Sequence, residues 1–511
     1  MTDRTPFQIK PGVVRRGSEA EMTGRWYLTQ LVRWVEGVMR PVGGWDKVVF
    51  DAALPATASK IRKMHTWIDK AGNKRTALLC DKHLYILETN TLHDISPVPA
   101  IVGPPDNLEL GGYGDDIYSY DSYGTARPNQ PQRRIIGPCF SLDNWGEDLL
   151  AMVSSDGRLL RWKPSDPPGS KAAVVAGAPI ANRLFVVTPE RHVMLMQMGG
   201  DPAAFGWCDQ EDISDWVFTD ITSMAGTYNI EPAGPIIAAK ASRFGVTIFL
   251  PGAMYLSRYV GVPYVYSLEF VGKYTAPLTN ASIIATADAL FWPSADAFWQ
   301  WNGSTMAPVD CDVLDWIQRN INDRYASVAT MGTFIGAQTE CWWFFPSGDS
   351  KENDRYVIYN FQEQWWAIGQ LSRTCGVSGN MVDYPLMSDG TNVFRHEYGL
   401  FYYDAPELPY AQSGAINIAS GTRRSTLTRG IADTRAPPGD VLFYIGRSTN
   451  RIANGVPASA LEGPKRVRAD GKVDFRVTGR DLVVRIASAR NGAQPWTFGQ
   501  MLARQQARGQ R

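Results

Sequence analysis

Residues that could carry catalysis or bind a ligand are sparse in this 511-residue chain. None of the five histidines lies in an HExxH or HxH zinc pattern, and Leu400 occupies the position where a second ligand after His396-Glu397 would be needed. The sequence has no GxxxxGK[ST] loop to bind phosphates and no GxSxG turn to hold a nucleophilic serine. We therefore expect no catalytic residue, no cofactor and no metal site, and a protein that is not an enzyme.

One short stretch could suggest carbohydrate chemistry. Ser154-Ser155-Asp156-Gly157, followed by Trp162, resembles the Asp-box of sialidase propellers, S-x-D-x-G-x-x-W. The spacing differs, because glycine follows the aspartate directly and the tryptophan comes one position too late. An Asp-Gly pair between two apolar runs is typical of a β-hairpin turn. A glycan-active, sialidase-like propeller therefore remains only an alternative.

The cysteines and the apolar runs indicate the compartment. The chain has no CxxC pair and no window of 18 apolar residues, and its charged start lacks the apolar region of a secretory signal. We expect synthesis in a cytosol, no stable membrane insertion, and reduced core thiols at all the cysteines, which are Cys80, Cys139, Cys208, Cys311, Cys341 and Cys375.

Pairs of apolar runs separated by turn residues recur along most of the chain. Repeated hairpins at a loose spacing of about 40 to 50 residues are typical of propellers. The pattern predicts a mostly β fold, a β-propeller of six or seven blades with an additional small C-terminal β-module; an irregular β-sandwich chain is the alternative. The units are TALLCDKHLYILE, LLAMVSSDGRLLRWKP, NRLFVV with RHVMLMQ, GVTIFLPGAMYLSRYV, DALFWPSADAFWQWNGSTMAPV, ECWWFFPSG with DRYVIYNFQEQWWAIG, and PLMSDGTNVFRHEYG.

One helix is predicted among these hairpins. In CDVLDWIQRNIN, residues 311–322, the apolar side chains recur at helical spacing, and we expect the helix to pack between two blades.

These patterns divide the chain into three parts. Residues 1–55 are expected to contribute to propeller closure or to contacts in a ring, residues 56–410 to form the propeller, and residues 411–511 to form the basic C-terminal β-module with a flexible tail. A Gly/Tyr-rich loop is inserted at 103–138. Exposed aromatic residues on a long loop are commonly contacts. The candidate contact residues, which could equally belong to a mobile surface loop, are Tyr113, Tyr118, Tyr120 and Tyr123.

Charge is distributed unevenly, although the chain is neutral overall. Residues 422–511 contain 17 Lys plus Arg against 6 Asp plus Glu, a net charge of +11, so the first 421 residues carry −11. This separation suits a basic surface that contacts an acidic one.

Three parts of the sequence resemble one known protein family. The N-terminal passage PGVVRRGSEAEMTGRWYLTQLVRWVEGVMRPVGGW is similar to the opening of tail nozzle, or packaged-DNA stabilisation, proteins of short-tailed (podovirus-type) bacteriophages. Its matching positions are Pro11, Gly12, Val13, Gly24, Arg25, Trp26, Tyr27, Leu31, Val32, Arg33, Trp34, Gly43, Gly44 and Trp45. Further similarity comes from WCDQEDISDW, from FWQWNGSTMAPVDCDVLDWI, from RYVIYNFQEQWWAIG, and from Arg476, Gly479, Arg480, Arg485, Trp496 and Gly499 near the end.

The resemblance implies a non-catalytic structural protein of the virion tail, made in the host cytoplasm. It implies a homohexameric ring below the portal and head-to-tail adaptor, contacts with tail fibre or needle proteins, and a channel that retains the genome and then guides its ejection. DNA would pass through without sequence-specific binding. The basic, Gln-rich last residues depart from the family pattern. A monomeric receptor-binding propeller is a second alternative to the nozzle.

The basic C-terminal region supplies the candidate interface with a neighbouring subunit or the adaptor. Alternatively, its arginines form only a solvated face. The candidate residues are Arg476, Arg480, Arg485 and Trp496.

Overall fold

A computed structural model contains a propeller and a second, two-sheet module. The structure describes residues 4–7, 9–18, 20–51, 54–55, 59–105, 137–167, 169–230, 234–273, 276–379, 383–417, 424–435, 437, 439–448, 455–468 and 470–508. The described N-terminal strands are β1 (Arg4–Phe7), β2 (Lys10–Val13), β3 (Arg25–Gln30), β4 (Val32–Val35), β5 (Val38–Pro41) and β6 (Trp45–Lys47).

Seven antiparallel four-stranded sheets form the propeller blades, which confirms the predicted fold class. Blade 1 is β7–β10 (Ile61–Ile68, Lys74–Cys80, Leu84–Glu88, Thr91–Asp94) and blade 2 is β11–β14 (Phe140–Trp145, Asp148–Val153, Leu160–Trp162, Ala173–Val174). Blade 3 is β15–β18 (Leu184–Val187, Val193–Met196, Ala204–Trp207, Gly226–Asn229) and blade 4 is β19–β22 (Ala238–Ser242, Gly245–Phe249, Ala253–Gly261, Val265–Lys273). Blade 5 is β23–β26 (Ile284–Ala285, Leu290–Pro293, Phe298–Trp301, Met306–Val309) and blade 6 is β27–β30 (Met331–Ile335, Glu340–Phe345, Arg355–Asn360, Trp365–Gln370).

The seventh blade combines the two ends of the propeller sequence. Its strands β31–β33 (Cys375–Val377, Leu386–Ser388, Val393–His396) are joined by β6, which pairs antiparallel with β33. The inner strand β31 contacts β7 of blade 1. The N-terminal segment therefore completes the last blade, and the contact between blades 7 and 1 closes the ring.

Fully buried strands arise because each blade lies between two others. Every residue of β12 is buried. Leu149 and Ala151 pack in a cluster with the side chains of blade 1, whereas Leu150 and Met152 pack with those of blade 3. Since successive side chains of a strand point to opposite faces, both faces of β12 are apolar from Leu149 to Val153, and the buried Asp148 at its start accepts a hydrogen bond from Arg161.

Two short helices connect blades 5 and 6. They are α1 (Leu314–Asn320) and α2 (Asp323–Ala329), and α1 lies within the predicted helical segment. The side chain of Asn322 accepts a hydrogen bond from the backbone N–H of Arg324 and so caps α2. Trp316 and Ile317 of α1 are buried in the main core, as the predicted packing role requires.

The second module is a pair of sheets built from both ends of the chain. Its C-terminal strands are β34 (Tyr410–Ser413), β35 (Ile416–Asn417), β36 (Arg424–Arg435), β37 (Val441–Arg447), β38 (Glu462–Arg466), β39 (Lys472–Gly479), β40 (Asp481–Ser488) and β41 (Thr497–Arg508). One sheet has the order β39-β36-β41-β5-β4 with β1 paired to β41, and the other has the order β2-β3-β34-β40-β37-β38 with β35 paired to β40. Phe498 of the first sheet contacts Trp26 and Phe443 of the second, so the two sheets share one core.

The module covers the outer edge of blade 6. An outer blade strand normally leaves backbone groups without sheet partners. Here Thr29 Oγ1 donates to the carbonyl of Ile368 and accepts from its N–H, at 2.6 and 3.1 Å. The amide of Gln30 forms the same pair of bonds with the backbone of Gln370, both at 2.8 Å. Two side chains of β3 thus replace a missing neighbouring strand.

A buried ion triad joins the module to two blades. Arg33, on β4, is 2% exposed and donates through Nη2 to Glu340 Oε2 of blade 6 at 3.0 Å. The same guanidinium donates to both carboxylate oxygens of Glu397, which follows blade 7, at 2.8 and 2.6 Å. Arg33 Nε lies 2.9 Å from Glu340 Oε1 without the alignment of a hydrogen bond. Burial raises the pKa of Glu340, and the charge of Arg33 opposes that rise.

Replacing Arg33 by methionine should destabilise the protein strongly. Arg33→Met leaves two carboxylates facing each other without a cation, a change that costs about 3–5 kcal/mol in a buried site. The matched control is Arg395→Met, since Arg395 pairs with Asp46 in a half-exposed position and its loss should cost less than about 1 kcal/mol. Urea unfolding of both variants measures the difference. Equal losses would contradict a special role for the triad.

Candidate assembly surface

The candidate interface lies in the module sheet that contains β39, β36 and β41. Along β39, Val473, Phe475 and Val477 are buried in the shared core. The residues between them point to the opposite face, where Arg476 is exposed. Alternation along the strand therefore gives this sheet an apolar inner face and a basic outer face.

Arginines from two neighbouring strands lie opposite each other on this outer face, where both are exposed. Arg429 of β36 lies opposite Asp474 of β39 on one side and opposite Arg504 of β41 on the other. We call the positions of Arg429, Arg504 and Asp474 the arginine row. Like charges directly opposite each other destabilise a sheet, so the arrangement favours an anionic partner facing the row.

The negative charge of Asp474 does not neutralise the arginines around it. Arg429 Nε donates to Asp474 Oδ1 at 2.8 Å, and Arg468 also forms an ion pair with Asp474. One carboxylate is thus shared by two guanidinium groups. Because these side chains are largely exposed, the pairs themselves contribute little to stability.

Of the four residues predicted for the interface, Arg476 has the accessibility that a contact requires. It is exposed on β39, and no hydrogen bond or ion pair connects it to the described parts of the chain. Its role in an interface stays a prediction.

The other two arginines interact within their own chain. Arg480 donates through Nε and Nη2 to Asp481 Oδ2, at 3.0 and 2.8 Å, where β39 turns into β40. The guanidinium carbon of Arg485 lies 3.6 Å from the centre of the Tyr410 ring, in cation–π geometry. Both side chains hold local structure, so they are less available than Arg476 to a partner.

Trp496 is part of the core. It is 0% exposed, and its Nε1 donates to Ser488 Oγ at 2.8 Å. A partner could not reach this indole without unfolding the module. The tyrosines of the predicted contact loop, Tyr113, Tyr118, Tyr120 and Tyr123, lie outside the described residues.

Sequence reasoning did not single out Arg429 and Arg504. A signal was present, because Arg504 and Arg508 belong to the basic, Gln-rich stretch at the end of the sequence. The sequence did not reveal that β36, β41 and β1 would be neighbours, because this pairing connects the two ends of the chain.

The described residues were also searched for metal-ligand groups, membrane-spanning helices and paired cysteines. In the described part of the chain, no three His, Cys, Asp or Glu side chains are grouped as metal ligands, and no helix is long and apolar enough to span a membrane. All six cysteines are unpaired and buried, as predicted, and burial raises the pKa of each thiol.

The chain was compared with family models, curated proteins and solved structures. No family model matches the sequence, and a search of curated proteins gave no match. Similar solved structures include the Neurospora crassa Pan2 WD40 domain, with 8% identity over 69% of this chain and 95% of that domain and a TM-score of 0.38. The β-propeller domain of Myceliophteria thermophila Cps50 (Swd1) is 9% identical, covers 68% of this chain and 98% of that domain, and has a TM-score of 0.39.

Two substitutions in this module should show that a core residue contributes to stability and an exposed residue does not. Trp496→Ala empties a buried site and removes a hydrogen bond, so we expect a loss of about 3–5 kcal/mol in the free energy of unfolding. Arg476→Ala should change it by less than about 0.5 kcal/mol, because the side chain is exposed. Chemical denaturation followed by tryptophan fluorescence measures both. A large loss for Arg476→Ala would instead assign that residue a role in holding the module together.

Proposed function

We propose that this chain is a structural protein of a phage tail that forms a nozzle ring below the portal and adaptor. The observation that carries the proposal is the arginine row, in which Arg429 and Arg504 lie opposite each other on an exposed sheet face. Such a face becomes favourable when an acidic surface covers it. The sequence resemblance to tail nozzle proteins supplies the biological setting.

The acidic surface that we assign to the row is the propeller of a neighbouring copy or the adaptor. The first 421 residues carry a net charge of −11 and the last 90 carry +11, so two copies placed head to tail bring opposite charges together. A head-to-tail contact between unlike surfaces generates a ring when its rotation closes. Charge separation within one chain therefore favours self-assembly of this type.

An acidic propeller also suits a protein that surrounds moving DNA. Each phosphate neutralised by a basic side chain adds affinity, through the release of counterions, and would slow passage of the genome. Confining most excess positive charge to the terminal module leaves the larger part of the chain repulsive to DNA. We infer that the basic module contacts protein and that the acidic part faces the conduit.

A long hairpin in blade 4 offers a second contact for the ring, a fibre or a needle. Strands β21 and β22 have nine residues each, and the outermost strands of the other blades are shorter. At and near its tip, Val260, Val262 and Tyr264 are 55%, 72% and 74% exposed. Several apolar side chains exposed together are typical of a protein contact.

Sedimentation of the purified chain, alone and with the adaptor of the same phage, tests the proposal. We expect a higher oligomer or an adaptor complex at low salt that weakens as salt screens the charges. The double variant Arg429→Glu/Arg504→Glu should weaken association by at least about tenfold, which corresponds to about 1.4 kcal/mol. The matched control Arg243→Glu reverses an exposed arginine on the propeller and should leave association unchanged.

Two results would overturn the nozzle assignment. A chain that remains monomeric at every salt concentration, with or without adaptor, would favour a receptor-binding propeller. Absence of its peptides from purified tailed particles, together with hydrolysis of capsular or sialylated glycans, would favour the enzyme.

A further inference from the structure

A cavity lies at the end of the propeller where the inner strands of the blades begin. Its volume is 270 Å³, close to the lower limit of about 300 Å³ that is typical of small-molecule sites. Residues at the start of inner strands line it, namely Arg62 in β7, Phe140 in β11, Met331 in β27 and Thr374 directly before β31. These strands belong to blades 1, 2, 6 and 7, so the cavity lies across one mouth of the central channel. We call it the mouth cavity.

Two walls of the mouth cavity are backbone segments that pack directly against other backbone. Gly103 and Gly137 each precede a proline that lines the cavity. A Cβ atom at Gly137 would collide with the carbonyl oxygen of Ser327, and one at Gly103 would lie 2.8 Å from that of Asp81. Glycine permits this close approach, and the proline after it restricts the chain. The cavity is therefore bounded by fixed backbone before any ligand enters.

The carboxylates of the mouth cavity are already balanced by cations. Arg62 Nε donates to Asp81 Oδ1 at 2.9 Å, and the two Nη atoms of Arg62 donate to the carboxylate oxygens of Glu352 at 2.9 and 3.0 Å. Lys60 Nζ lies 2.9 Å from Glu352 Oε1. Two anions thus meet two cations, and this group leaves no carboxylate to bind a cationic ligand.

Two further lysines lie beside this balanced group. Lys82 is the residue after Asp81, and Lys351 is the residue before Glu352. Because one guanidinium binds both of these carboxylates, the two segments that carry the lysines lie next to each other. Both lysines line the cavity and are exposed, and neither forms an ion pair with a carboxylate of the described residues. The lining therefore has an excess of positive charge.

Two polar groups on another wall also lack partners. Thr330 lines the cavity and is 2% exposed, and its Oγ1 has no hydrogen-bond partner in the described part of the chain. A buried hydroxyl in that state is unfavourable and rare in folded proteins. Thr279 Oγ1 donates to the carbonyl of Thr330 at 2.6 Å, which places the next residue, Asn280, on the same wall. Asn280 Oδ1 accepts from the N–H of Ala239 at 3.1 Å, whereas its Nδ2 has no acceptor among the described residues.

We propose that the mouth cavity binds a small organic molecule that ends in an oxyanion, either a carboxylate or a phosphate ester. Lys82 and Lys351 supply the positive charge, with three donors on each ammonium group. Thr330 and Asn280 supply further donors. Lys351 Nζ lies 5.7 Å from the centre of the Tyr325 ring, so an aromatic wall adjoins the charged one and can contact the body of the ligand. The site does not depend on how the chain assembles.

Calorimetric titration of the full-length protein at pH 7 with phenyl phosphate, and separately with benzoate, tests this site. We expect saturable binding, and the probe that binds more tightly identifies the oxyanion. The double variant Lys82→Met/Lys351→Met should weaken binding by at least about tenfold. Both lysines are exposed, so its melting temperature should match that of the native chain. Inorganic phosphate should bind more weakly than phenyl phosphate, because it has no apolar ring to contact the wall.

Thr330→Val distinguishes binding from stability. Valine has nearly the same shape but lacks the unpartnered hydroxyl, so the melting temperature of the free protein should stay the same or rise. The affinity for the tighter probe should nevertheless fall by about fivefold, because one donor to the ligand is lost. A substitution that merely damaged the fold would lower both quantities.

Lys70→Met is the matched control. The Lys70 side chain is 83% exposed and follows the last residue of β7, at the end of that strand away from the cavity, so probe affinity should not change. Absence of saturable binding of both phenyl phosphate and benzoate would overturn the proposal. So would equal affinities of the Lys70→Met and Lys82→Met/Lys351→Met variants, which would indicate general surface attraction.

Discussion

The union of propeller and module depends on the burial of Arg33. Its guanidinium reaches blade 6 through Glu340 and the end of blade 7 through Glu397, while its backbone belongs to a strand of the module. Separation of these units would leave charges without partners, at a cost larger than that of most single contacts. The side chains of Thr29 and Gln30 reinforce the same boundary by completing the edge of blade 6. These polar contacts also cover the outer edge of blade 6, a blade rich in buried tryptophan, so that this edge is not exposed.

Local patterns were enough to predict the propeller, but non-local pairing determined its completion. The Asp156-Gly157 turn and the alternating apolar runs identify hairpins because both strands of a hairpin are close in sequence. The seventh blade is different. Its fourth strand, Trp45–Lys47, has three residues and pairs with Val393–His396, so neither its length nor its neighbours identify it. The same limit applies to the module, whose sheets combine strands from both ends of the chain.

For the candidate surface, too, composition predicted some features and only the structure revealed the others. Counting charges was sufficient to locate the basic region, and Arg476 is exposed there. Composition could not distinguish Trp496, whose side chain enters the shared core, from a tryptophan on a contact surface. It also could not show that Arg429 and Arg504 face each other, because that fact follows from strand order and register.

The pairing of β6 with β33 also has a consequence for synthesis. Asp46 and Arg395 of these strands are 349 positions apart, and the sheet partners of β1 lie farther along, near the end of the chain. During translation, the ring cannot close before residue 396 leaves the ribosome, and the module must wait for β41. Until then, the early strands present open edges that could pair with other nascent chains. Long-range closure therefore leaves the N-terminal strands without their sheet partners for longer during synthesis than the hairpin strands of blades 1 to 6.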